Sequence, residues 1–138
     1  MSCLEKTIQD LAENEIFGVG ITNQRETTVA WDRKSGKPFA RAIVWQCRRT
    51  HEYCEKLAEN KRTADMIHKR TGLRIDSYFS ATKMSWLLNN NKSVAKAAAS
   101  GRLCLGTLDS YLVFCLTNGN SFVTDHSNAS RTLLYLSL

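Results

Sequence analysis

The sequence predicts an α/β fold, built as one domain of a soluble protein, on three observations. Short β-rich apolar runs alternate with stretches of helical periodicity. The chain has 138 residues, the size of one domain able to bury a core without staples. Hydrophobic residues make up 43% and charged residues 23%, the balance of an ordinary soluble protein. One unit over residues 1–138 is expected.

The elements follow in order. Ser2-x-x-Glu5 is a capping-box pattern, and Leu4, Ile8, Leu11 and Ala12 recur at helical spacing, giving a first helix with an apolar stripe to bury. Ile16-Phe17-Gly18-Val19-Gly20-Ile21 reads as a buried strand whose glycines admit a close neighbour. Thr27 to Trp31 and Phe39 to Val44 are two further strands joined by the turn Lys34-Ser35-Gly36-Lys37-Pro38, a hairpin. Helices are expected from Gln46 to Asn60, with Cys47, Cys54, Leu57 and Ala58 inward, and at Thr63–Lys69, Ser80–Leu88 and Val94–Ala99. Gly72 and the Asn89-Asn90-Asn91 run separate them. Arg102 to Gly106 is a strand. Thr107 can then cap a helix whose face is Leu108, Tyr111, Leu112, Cys115 and Leu116, closed by Asn118-Gly119. Phe122-Val123 and Leu133 to Leu136 are the last strand candidates.

Charge, cysteines and hydropathy exclude several functions. No window approaches the roughly 18 consecutive apolar residues of a membrane span, and no secretory leader pattern opens the chain, so no membrane role and a cytoplasmic location are expected. The five cysteines, Cys3, Cys47, Cys54, Cys104 and Cys115, form no Cys-x-x-Cys pair and read as inert thiols. The formal charge of +6 is dispersed among acids and comes with no nucleic-acid motif, so no nucleic acid is expected as a partner. His51, His68 and His126 are too scattered to suggest a metal site. There is no Gly-x4-Gly-Lys-Ser/Thr phosphate loop, no Gly-x-Ser-x-Gly elbow and no second histidine near His51-Glu52. Gly18-Val19-Gly20 begins a dinucleotide fingerprint, but Asn23 stands where its third glycine belongs.

What remains is Asn23-Gln24-Arg25-Glu26, directly after a predicted strand, where α/β proteins usually hold ligands. Adjacent guanidinium and carboxylate groups supply the donors and acceptors a vicinal polyol needs. The plainer reading is an exposed ion pair at a strand end.

Gly18-x-Gly20-Ile21-Thr22-Asn23-Gln24-Arg25-Glu26-Thr27-Thr28 and Ala42-Ile43-Val44-Trp45-Gln46-Cys47-Arg48-Arg49-Thr50 resemble the glycerol kinase pattern among carbohydrate kinases. Lys69-x-Thr71-Gly72-Leu73, Tyr78-Phe79-Ser80-Ala81-Thr82-Lys83, Gly106-Thr107-Leu108-Asp109-Ser110-Tyr111-Leu112 and Thr124 to Thr132 continue the match in the same order. His126 and Ser127 depart from the last block. The resemblance implies part of a ribonuclease-H-like domain of the actin and hexokinase type, a mixed sheet with flanking helices. It also implies a parent enzyme converting glycerol to sn-glycerol 3-phosphate with ATP and Mg2+, and leaves a homo-oligomer open. In this reading Arg25 and Glu26 bind glycerol hydroxyls, Trp45 packs on the carbons and Tyr78 adds a hydroxyl contact. Asp109, Asp125 and Asn128 read as capping and turn residues, and Trp31 and Trp86 as packing residues.

The family's Asp-x-Gly-Thr-Thr phosphate motif, its aspartate general base with an adjacent glutamine, and its ATP-holding second domain do not occur in this sequence. The expectation is therefore a piece of the first domain, inactive and poorly stable alone. No catalytic residue and no metal ligand is assigned to it. The alternative is a non-catalytic remnant that binds a polyol or a partner chain.

Overall fold

The computed structural model describes residues 3–11 and 15–136. Two strands, β1 (Thr28–Asp32) and β2 (Leu103–Thr107), pair antiparallel with Thr28 opposite Thr107 and Asp32 opposite Leu103. The helices are α1 (Cys3–Ile8), α2 (His51–Glu59), α3 (Lys61–Thr71), α4 (Ser80–Asn90), α5 (Lys92–Ala99), α6 (Leu108–Leu116) and the single turn α7 (His126–Ala129). The α/β class expected from the sequence holds.

All five residues of β1 are buried, because each face of the strand carries a different core. Side chains alternate across a strand. Val29 and Trp31 therefore join Cys104 and Phe114 on one face, with Leu108 and Tyr111 of α6 packed against them. On the other face Ala30 joins Ile43, Leu87 and Val94, which brings α4 and α5 onto the sheet. Trp31 meets Tyr111, Phe114 and Phe122 edge-on at 5.2, 5.6 and 5.1 Å, the arrangement favoured by ring quadrupoles. At the strand's end Asp32 accepts from the amides of Lys34 and Ser35 and pairs with Arg102. Burial pushes its carboxyl upward, but those amides and the guanidinium outweigh it and hold the group below its usual value.

Helix ends follow local chemistry. The Asn60 side chain caps α3 by accepting from the Thr63 amide, and Asn91 caps α5 by accepting from Ser93 and Val94. Gly72 ends α3 at φ 72°, a left-handed conformation that glycine adopts without strain. Asn118 and Gly119 close α6, also at positive φ, and the Gly119 amide donates to Phe114 O at 2.8 Å.

Several expectations are corrected. Residues 16–21 form no strand: Phe17 is 97% exposed and Val19 69% exposed. No strand pairs with this run among the described residues, so β-propensity has no ladder to act through. Gly18 and Gly20 face open space rather than a close neighbour. The expected hairpin is only partly formed. β1 takes its continuous ladder from β2, while residues 38–43 meet its other edge in the isolated bridges Thr28–Ile43 and Trp31–Pro38 and through Phe39 N donating to Ala30 O at 2.9 Å. α2 begins at His51 rather than Gln46, and the Thr50 hydroxyl before it is bonded to Thr82 Oγ1 at 3.0 Å instead of capping. Ala58 of its expected inward face is exposed. On α6 the buried residues are Asp109, Ser110 and Phe114, while Cys115 and Leu116 are exposed, because the wedge under Trp31 selects the helix face. Phe122-Val123 and residues 133–136 are irregular. Leu11 is exposed, and Ser2 and Ala12 lie outside the described residues.

Candidate functional site: a buried carboxylate beside an aromatic pair

Arg25 and Glu26 form the turn that delivers the chain into β1, closed by Thr27 N donating to Gln24 O at 3.1 Å. The turn sends the two side chains to opposite environments. Arg25 is exposed, with no hydrogen bond or ion pair from its side chain among the described residues. Glu26 is only 3% exposed.

A carboxylate at that depth needs a counter-charge and donors. Arg131 Nε donates to Glu26 Oε1 at 2.9 Å. The Glu26 carbonyl accepts from Lys83 Nζ and Ser80 Oγ, both at 3.2 Å. Lys83 is fully buried, and its ammonium also donates to the Tyr78 carbonyl. Burial drives the Lys83 pKa down to about 8, against the opposing pull of Glu26.

Tyr78 stands in the turn before α4, where its amide donates to Asp76 Oδ1 at 2.7 Å. Its ring meets Trp45 edge-on at 5.6 Å, and the Arg131 guanidinium lies 5.7 Å from its centroid and 4.9 Å from that of Phe79. Two open cavities share Tyr78. One of about 340 Å³ is bordered by Trp45, Arg48 and Asp76; the other, of about 550 Å³, by Arg74, Asp76, Phe79 and Arg131.

Asn23 ties the approach to the site to two distant helices, its Nδ2 donating to Asn128 Oδ1 at 3.1 Å and to Asp109 Oδ1 at 3.4 Å. Asp125 caps α7 by accepting from the Asn128 amide, and Thr124 donates to Asp109 Oδ2 at 2.7 Å. These residues cap and orient the loop, as their residue types suggest.

Trp45 and Tyr78 therefore touch directly, and Glu26 reaches Tyr78 through Arg131 and Lys83. Arg25 borders neither cavity. Sequence reading missed Arg131 and Lys83, although both lie within blocks that carry the resemblance; a cation in such a block, with a carboxylate to neutralise, was the available signal. Among the described residues no group of three or more His, Cys, Asp or Glu side chains could hold a metal ion. With no phosphate loop either, the residues present do not fit a site for ATP or Mg2+.

The aromatic pair and the cation that holds Glu26 border two open cavities on an α/β frame, while Glu26 itself lies behind Arg131 and lines neither. Over residues 1–136 the sequence matches the N-terminal domain of the FGGY family of carbohydrate kinases, and the chain belongs to that family. It is 54% identical over 129 residues to a glycerol kinase of Rhizobium rhizogenes, covering 94% of this chain and 26% of that protein. The glycerol kinase of Fusobacterium nucleatum is 48% identical over 125 residues, 91% of this chain and 25% of that protein. The crystal structure of Plasmodium falciparum glycerol kinase with ADP superposes with a TM-score of 0.78 at 43% identity, covering 83% of this chain and 22% of that one. The likeness identifies the frame as part of a ribonuclease-H-like, actin/hexokinase-type domain. The chain spans about a quarter of the length of the curated relatives it matches. No helix among the described residues is long and apolar enough to cross a membrane.

Proposed function

We propose that this chain supplies the polyol-gripping part of an ATP-dependent glycerol kinase that forms sn-glycerol 3-phosphate in the cytoplasm. The observation that carries the reading is Glu26: a carboxylate held in the interior by Arg131, beside the Trp45–Tyr78 pair, in a chain whose relatives are glycerol kinases. Glu26 accepts from one glycerol hydroxyl and Arg25 donates to another. Trp45 packs its indole against the carbons, and the Tyr78 hydroxyl makes a further polar contact. Polar groups committed to hydroxyls penalise a substrate that lacks them far more than an apolar pocket penalises an extra one. ATP, with Mg2+, supplies the phosphoryl group and the neutralisation of its charge; no residue of this chain is assigned to either.

The test is steady-state kinetics on the full-length kinase carrying Glu26→Gln, Arg25→Ala or Tyr78→Phe. E26Q and R25A should each raise the glycerol KM at least about tenfold, the cost of one lost charged hydrogen bond. Y78F should raise it less. Unchanged glycerol KM in both E26Q and R25A would refute the reading.

A further inference from the structure

Glu26 and Tyr78 lie 52 positions apart in the numbering, on separate turns, yet a shared polyol requires their hydroxyl-binding groups to hold one separation. Their backbones are already joined. The buried Lys83 ammonium donates to the carbonyls of both residues, and Ser80 donates to the same Glu26 carbonyl. That junction leaves two groups free to move: the Glu26 carboxylate about its side-chain torsions, and the Tyr78 ring.

Both of those freedoms meet Arg131. Its Nε engages Glu26 Oε1 at 2.9 Å, while its guanidinium carbon lies over the Tyr78 ring at 5.7 Å and over Phe79 at 4.9 Å. The rings restrict the guanidinium, and the guanidinium restricts the carboxylate. A carboxylate has two oxygens with room for about four hydrogen bonds. With Oε1 committed to Arg131, Oε2 is the atom turned over to a hydroxyl donor. We propose that Arg131 is a positioning residue for polyol recognition, fixing which Glu26 oxygen meets the substrate and at what distance from Tyr78. The proposal rests on the polyol-site reading given above. Arg131 acts through Glu26 and is assigned no contact with substrate.

Action through another group has a signature that a general structural role lacks. If Arg131 serves the site by holding the Glu26 carboxylate, its removal should matter only while that carboxylate is present. In the full-length kinase, Arg131→Met should raise the glycerol KM about tenfold with a smaller change in kcat. In a Glu26→Gln background the same substitution should raise it less than about twofold. Arg131→Lys, which keeps the charge but loses the planar fork, should fall between wild type and R131M; it carries the same cycle if R131M fails to fold. Two results would overturn the proposal: a KM within twofold of wild type in R131M, or an equal factor in both backgrounds. A glycerol KM unchanged in both E26Q and R25A would instead bring down the polyol-site reading itself, so the two failures are told apart by the single variants.

Discussion

At the residue scale, the least ordinary group in the molecule is Lys83. Its ammonium is wholly buried, and desolvation lowers its pKa to about 8. An unfolded lysine titrates near 10.4. Below pH 8 both states carry the proton and the folded state bears the full cost of burying it. Between pH 8 and about 10.5 the folded amine releases its proton while the unfolded one keeps it, so this group's contribution makes stability rise with pH. The ceiling on the gain is about 3 kcal/mol. Cys54 and Cys104 pull the other way: burial raises their pKa values, so their unfolded thiols ionise first. The measurement is therefore a difference. Wild-type unfolding free energy minus that of Lys83→Met should grow between pH 8 and 10, and a flat difference would show that Lys83 keeps an ordinary pKa. Cys47 differs from those thiols. Burial pushes it upward, but the Arg49 Nε–H held at 3.0 Å from its sulfur prevails and lowers it, with Arg49 itself stacked 4.5 Å over Trp86. Iodoacetamide should label Cys47 well before Cys54 or Cys104, as peptide mass mapping would show. Such effects mark the limit of sequence reading. Arg25, Glu26, Trp45 and Tyr78 could be named from motif blocks, but Lys83 and Arg131 matter through contacts 57 and 105 positions away, which no local pattern displays.

At the element scale, helix positions were legible and strand partners were not. Helical periodicity is written within each segment, so α3, α4 and α5 lie where the apolar spacing and the breaks at Gly72 and Asn91 put them. A strand's partner lies elsewhere in the chain. Proximity favoured a hairpin for β1, yet β2, some 70 positions on, provides the ladder because it alone completes both cores. The glycines follow the same rule. Those of residues 18 and 20 looked like close-approach positions and face open space, whereas Gly106 in β2 is the crowded one. A Cβ there would lie 3.2 Å from Ser110 Cβ, 3.3 Å from the Phe122 ring and 3.4 Å from the Trp31 ring. Gly106→Ala should cost about 1–3 kcal/mol through overpacking, read as a lower denaturant midpoint at unchanged slope. Gly18→Ala should stay within about 0.5 kcal/mol. Equal effects from the two would mean that the wedge between β2 and α6 is looser than its distances imply.

At the scale of the whole molecule, the distribution of apolar surface decides behaviour in solution. The two-sided core around β1 is closed, but Phe17 and Val19 stand out in water with Ile16 and Ile21 beside them, and Val123, Leu134 and Leu136 are more than half exposed. Contiguous exposed apolar residues on an irregular segment with unpaired backbone groups promote association, both by burial of area and by strand addition. The 138-residue chain on its own should therefore bind a hydrophobic dye and elute from a sizing column above its 15.6 kDa mass, increasingly so with concentration. Replacing Phe17 and Val19 with serine together should reduce both signals while leaving the sheet and its two cores intact, because neither side chain touches them. A monomer with a sharp, reversible melt and no dye binding would contradict this account. If the double substitution left association unchanged, the sticky surface would have to be sought at Val123, Leu134 and Leu136 instead, and the same measurement on variants of those residues would locate it.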